Sequence, residues 1–170
     1  MLKWQLIACA LCMKVSLMSL ELESPAFDQE DSIPVRYTAD GSDRSPPLLW
    51  KNEPKGTKSY VLICDDPDAP SGTWDHWVLF NIPLDTRELH EGLFNREVLP
   101  NGAIQGVNSW GKTGYNGPNP PKGSSHRYNF KLYALDTLLN LSPTATKTEV
   151  EAAMQGHILA QSILTAHYSH

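Results

Sequence analysis

Two apolar runs, Tyr60–Cys64 and His76–Ile82, constrain this chain more than any other feature. Each is strand-length and nearly continuous, so each reads as a strand buried on both faces. Such strands need a layer on either side. Between them lies "DDPDAPSGTWD", three acids and two prolines followed by a tryptophan and an acid.

The flanking segments supply the layers. Leu20 and Leu22 alternate with Glu21 and Glu23, a half-buried strand ended by Pro25. Short strands are expected at Val35–Tyr37, before a turn at Asp40-Gly41, and in "SPPLLW". In "YNFKLYAL", Tyr128, Phe130, Leu132 and Ala134 share one strand face. "LDTRELHEG" reads as a polar turn of helix with Asp85 as N-cap and Gly92 as stop. Thr146 and Glu149 fit a capping box, and Val150, Ala153, Met154, His157, Ile158, Gln161 and Leu164 recur at helical spacing. That pattern predicts a C-terminal helix over 148–167, with His157 packed on its face. Many short strands and one late helix predict a mainly β fold, a two-sheet antiparallel β-sandwich with peripheral helices.

The 170 residues suit one domain, placed at 18–170, and no repeat or domain boundary stands out. Residues 1–17 read as an N-terminal extension upstream of a start at Met13 or Met18, with a signal-like export segment as the alternative. The expected compartment is the cytoplasm, or the periplasm if that segment is a signal. Its apolar run, Trp4–Met13, is shorter than the roughly 20 residues of a membrane span, so no transmembrane segment is expected. A net charge of −5 argues against non-specific nucleic-acid binding. The three cysteines, Cys9, Cys12 and Cys64, make no disulfide framework.

Chemistry concentrates in two clusters. Asp66, Asp68, Trp74 and His76 stand around the mouths of the two apolar strands, with Pro67 and Pro70 restricting the loop. The second cluster is "GPNPPKGSSHRY", Gly117–Tyr128, the end of a stretch from Pro100 to Ser125 with six glycines and four prolines. His126 and Tyr128 share a strand face. If the clusters meet, two imidazoles and a phenol can donate to a small anion. The acids would hold the histidines protonated, and Trp74 or Trp77 would form an apolar wall. Anion affinity is then expected to rise as pH falls from about 7.5 to 5.5. Taken singly, the acids also fit Asx-turn chemistry, His76 a half-buried structural histidine, and Arg127 a salt bridge.

"DDPDAPSGTWDHWVLFNIP" together with "GPNPPKGSSHRYNFKLYALD" resembles the phosphatidylethanolamine-binding protein family, and most closely its bacterial branch of Raf kinase inhibitor-like proteins. "SPAF", "SPPLLW" and "AMQGHILA" fit the same branch, so the resemblance spans roughly Leu20–Tyr168. It implies a sandwich with a small anion pocket at one end. The pocket would be built from Asp66 and Asp68, Trp74 and His76, the loop Gly117–Pro121, and His126 with Tyr128. It further implies a non-catalytic binding protein for phosphate or phosphoethanolamine-like headgroups, able to regulate a protein partner, with no cofactor or metal, and a homodimer. Asn119 stands where bacterial relatives often carry cysteine. Two other classes share these residues: a hydrolase or isomerase with His76 or His126 as general base beside Asp66 or Asp68, and a metal site of the same histidines and aspartates.

Overall fold

Both apolar runs become central strands of one sheet, because each has apolar partners on both faces. The computed structural model describes residues 19–170. The readings of residues 1–17, including Cys9 and Cys12, lie outside the described residues. In chain order the strands are β1 (Glu21–Glu23), β2 (Leu48–Lys51), β3 (Ser59–Asp66), β4 (Trp74–Pro83), β5 (Glu88–Leu89), β6 (Ile104–Gln105), β7 (Ser125–Leu135) and β8 (Ile158–Ser169). One α-helix, α1 (Lys147–Met154), precedes β8. A five-stranded sheet has the order β6-β4-β3-β7-β8 and a three-stranded sheet the order β1-β2-β5, all neighbours antiparallel.

The large sheet buries both faces. Tyr60, Leu62, Trp77, Leu79, Phe130 and Leu132 pack against Leu22, Leu48, Trp50 and Leu89 of the small sheet, which is the sandwich core. On the opposite face Val61, Ile63, Val78 and Phe80 pack against Val150 and Met154 of α1 and against Leu139 and Ala145. The sequence expectation of a mainly β, two-sheet antiparallel sandwich therefore holds.

The C-terminal helix is much shorter than expected. The capping box forms, with Thr146 Oγ1 accepting from the Glu149 N–H and Glu149 Oε2 accepting from the Thr146 N–H at 2.8 Å. The helix ends at Met154, and Gly156 takes a left-handed φ of +79°. The chain then pairs with β7 from Leu135↔Ile158 to Ser125↔Ser169. A full ladder along an open strand edge outweighs a helical periodicity carried by only a few apolar residues. His157 is thus not on a helix face; its Nδ1 lies 2.8 Å from Asp136 Oδ1 at the surface.

Two smaller expectations also fail. Val35–Tyr37 is a 3-10 turn, because the Tyr37 and Thr38 N–H groups bond back to the Pro34 and Val35 carbonyls. "LDTRELHEG" is a turn followed by β5, which seats Leu89 in the core opposite Leu48. Glu88 stays exposed, so the segment gains more from one buried leucine than from a polar helical turn.

Candidate functional site

The three acids of "DDPD" follow the strand alternation and part company. Asp65 is fully buried on the α1 side, where its Oδ2 accepts from Lys131 at 2.7 Å and Lys147 at 2.8 Å. Lys147 also reaches Asp75 Oδ1 at 3.0 Å. Burial opposes the Lys147 charge, but its hydrogen bonds to Asp65 and Asp75 prevail and hold its pKa above the ordinary lysine value. Asp66, one residue on, faces the other way. Its Oδ1 accepts the Asp68 N–H at 2.8 Å, an Asx turn, and its Oδ2 lies 2.7 Å from His126 Nδ1. Asp68 turns outward, where its two oxygens bind the Arg127 guanidinium at 2.7 and 2.9 Å and the Arg127 N–H at 2.9 Å. Those bonds, the guanidinium's first, lower the Asp68 pKa to about 2.

His76 reaches the same end of the sheet by a different device. Cys64 pairs with Trp77 and Asp65 with Asp75, which leaves His76 as the extra residue of a β-bulge. The bulge lets His76 and Trp77 address the same side of the sheet. Asn116 then clamps the histidine: the Asn116 N–H donates to the His76 carbonyl at 3.1 Å, and His76 Nδ1 lies 2.6 Å from the Asn116 carbonyl. Tyr128 and Trp110 stand edge-on to the imidazole at 5.2 and 4.9 Å. His76 is 2% exposed, and burial pushes its pKa below the ordinary histidine value despite the Asn116 carbonyl and the nearby Asp66.

Where these residues meet, a cleft of about 280 Å³ opens. Asp66, His76 and His126 form its polar floor. Trp74 and Trp110, edge-on to each other at 5.5 Å, form one wall, and Pro70, Pro120 and Pro121 shape the rim. Of the residues singled out in the sequence, Asp66, Trp74, His76, Pro121 and His126 line the cleft.

The other three stand behind it. Asp68 is held by Arg127. Tyr128 is buried under His76, and desolvation pushes its phenol far above the ordinary tyrosine range. Gly117 packs on the backbone of Tyr37 and Thr38, where its N–H donates to Asp43 Oδ1 at 2.6 Å. Trp77 is also no wall; it is core, with Nε1 donating to Gln105 Oε1 at 2.9 Å.

Asn119, within the loop Gly117–Pro121 that the resemblance assigned to the pocket, lines the cleft; Trp110 and Ser71 line it without having been singled out. Trp110 left a usable signal, a large aromatic side chain in a glycine-rich stretch with no strand or helix period to bury it. Ser71 left none, since small polar residues in such loops are ordinary turn formers.

The cleft's polar side chains offer hydrogen bonding and charge. Cys64 lies in the core, where burial pushes its thiol pKa well up. Among the described residues no group of three or more His, Cys, Asp or Glu side chains converges in a way that could hold a metal ion. Among them, too, no helix is long and apolar enough to cross a membrane.

A family model described as phosphatidylethanolamine-binding protein matches residues 23–169, from the small sheet to the end of β8. The chain belongs to the phosphatidylethanolamine-binding protein family. Among relatives, the UPF0098 protein of Methanothermobacter thermautotrophicus is 51% identical over 149 residues, covering 88% of this chain and 98% of its own. The UPF0098 protein YbhB of Escherichia coli is 42% identical, with 88% of this chain and all of the relative covered. Among solved structures, a phosphatidylethanolamine-binding protein homologue from Chlamydia trachomatis superposes with a TM-score of 0.81 at 38% identity, covering 89% of this chain and 98% of the other. Escherichia coli YbcL, described as a member of the mammalian branch's family, superposes with a TM-score of 0.84 at 29% identity, covering 90% and 99%. The family match spans both clusters of the cleft, the strand mouths at 66–76 and the loop at 117–128.

Proposed function

We propose that this family member is a non-catalytic binding protein whose cleft takes a phosphate or phosphate-bearing headgroup. The observation that carries the reading is the Asp66–His126 pair, 2.7 Å apart on the floor of a cleft that His76 also lines. A protonated His126 held by a carboxylate is a strong, fixed donor to an oxyanion. Ser71 is the one hydroxyl side chain among the lining residues, and no hydrogen bond couples it to either histidine among the described residues. That favours binding over nucleophilic catalysis. The resemblance to kinase-inhibitor-like proteins is what suggests a regulatory role on a protein partner and pairing of two copies; light scattering of the purified chain tests the second.

The test of the binding reading is an NMR titration with inorganic phosphate and O-phosphoethanolamine, following the His76 and His126 ring signals, with His76→Ala as control. Saturable shifts of both rings, lost in the variant, support it; unmoved rings at millimolar ligand refute it.

One observation favours a second reading. An aspartate orienting a histidine is also the arrangement of a general base, so the pair could activate water on an ester. Turnover of phosphomonoesters or carboxylic esters that vanishes in His126→Ala would establish that reading instead.

A further inference from the structure

The two imidazoles of the cleft do not offer a ligand the same kind of atom. His76 Nδ1 faces the Asn116 carbonyl at 2.6 Å. A carbonyl oxygen can only accept, so the proton of the neutral ring sits on Nδ1 and Nε2 carries a bare lone pair. Nε2 has no hydrogen-bond partner among the described residues, and it is not among their sealed, unpaired atoms. It is therefore an acceptor open to the cleft. The charged and titratable groups around the ring are Asp66 and Asp65 of β3, Asp43 beneath the Asn116 loop, Tyr128 of β7, and His126, which shares the cleft floor. The three acids favour a proton on the His76 ring, while burial opposes it.

His126 faces a different partner. Its Nδ1 lies 2.7 Å from a carboxylate rather than a carbonyl, and when the ring carries its second proton the pair is ionic and Nε2–H donates. Among the described residues, no lysine or arginine lines the cleft. A doubly charged ligand would set surplus negative charge against the His76 lone pair and the Asp66 carboxylate.

Building on the anion-binding reading, we propose that the cleft selects a protonated oxyanion: a phosphomonoester as its monoanion, with P–O⁻ accepting from His126 and P–OH donating to His76 Nε2. A phosphodiester or a sulfate ester has the same single charge and tetrahedral shape but no hydrogen to give. A buried acceptor that goes unmet disfavours such an analogue. The cleft thereby separates free phosphomonoesters from the diester headgroups of intact phospholipids by one hydrogen atom.

The experiment compares methyl phosphate, methyl sulfate and dimethyl phosphate by calorimetry on the full chain at pH 6, near the second pKa of phosphate monoesters at about 6. Affinities are expressed per monoanion. Methyl phosphate is expected to bind about tenfold tighter than either analogue, or more, with nitrogen-15 spectra of the complex placing the His76 proton on Nδ1 alone. Methyl sulfate or dimethyl phosphate binding as tightly as methyl phosphate overturns the inference and leaves the anion-binding reading standing. So does a His76 ring doubly protonated in the methyl phosphate complex. No saturable binding of any of the three, or of inorganic phosphate, removes the anion-binding reading and this inference with it.

Discussion

His126 Nδ1 and Asp66 Oδ2 lie 2.7 Å apart, and the two side chains are only 7% and 6% exposed. A buried pair of this kind fixes the orientation of the ring, and each partner is costly to remove alone. Asp66→Asn retains an oxygen for the Asp68 N–H but withdraws the carboxylate charge that faces His126 Nδ1. Phosphate affinity is expected to fall by about tenfold, while circular dichroism shows the fold intact. Unchanged affinity in a calorimetric titration would mean that His126 binds the anion without help from Asp66.

His76 should mark the stability curve on its acid side. Burial lowers its pKa in the folded protein, so the unfolded chain takes up the proton first as pH falls. Stability associated with neutral His76 is fully present above the ordinary imidazole pKa of about 6.5 and is lost as pH falls toward the lower folded value. Denaturation of the wild type and His76→Gln at a series of pH values should show the gap between them narrowing from pH 7 to pH 5. A constant gap would place the ring's proton in both states alike.

The Asp68–Arg127 pair is expected to matter little to stability. It is partly exposed on both sides, with side-chain accessibilities of 29% and 53%, so solvent screens most of the interaction. Arg127→Ala should cost less than about 1 kcal/mol and leave phosphate affinity within about twofold. Because Asp68 titrates at about 2, its contribution is present above the ordinary carboxylate pKa and disappears only as pH falls through that low value. In the variant, carbon-13 NMR should find the Asp68 carboxyl back near the usual range; a value still near 2 would assign the shift to other groups.

Gly117 is expected to be intolerant for reasons of space. A Cβ there would sit 2.3 Å from the Tyr37 carbonyl oxygen and 2.8 Å from Asp43 Oδ1. Gly117→Ala should cost about 1–3 kcal/mol in urea denaturation. A loss below about 0.5 kcal/mol, the ordinary scale for surface changes, would mean that the loop moves aside freely.

On the far side of the sheet, Lys147→Met should weaken the tie between α1 and the acids of β3 and β4. Asp65 keeps Lys131 but loses one of its two charged partners, and its Oδ1 already lacks a hydrogen-bond partner within the described residues. A loss of about 1–3 kcal/mol is expected, with faster amide exchange in α1. Unchanged exchange there would show the helix to be held by Val150 and Met154 alone.

What could be read from the residues followed local rules. Unbroken apolar runs gave β3 and β4, and alternation gave β1 and β7. Two long motifs brought Asp66, Trp74, His76, Pro121 and His126 within reach of one cleft. What could not be read depended on partners distant in the chain. The stretch from Ile158 to Ser169 has usable helical spacing, and only the waiting edge of β7 makes it a strand. Asp65, Asp66 and Asp68 look alike in sequence; the choice of lysines, His126 or Arg127 as partner comes from which face each acid meets. The tautomer of His76 was equally hidden, because Asn116 is forty residues away.

The bulge at His76 makes the cleft a matter of counting. Between Asp75 and Trp77 β4 holds one residue more than β3, and a second miscount near Asn81, whose φ is +52°, restores the phase of the strand. A point substitution can change what His76 offers a ligand, but only the extra residue lets an imidazole and a core tryptophan be neighbours on the same side. Deleting one residue there would keep a pairable strand and take His76 out of the cleft floor. For a sandwich of this kind, gaining or losing that imidazole is therefore a one-codon insertion or deletion, a kind of change that comparisons of substitutions alone do not register.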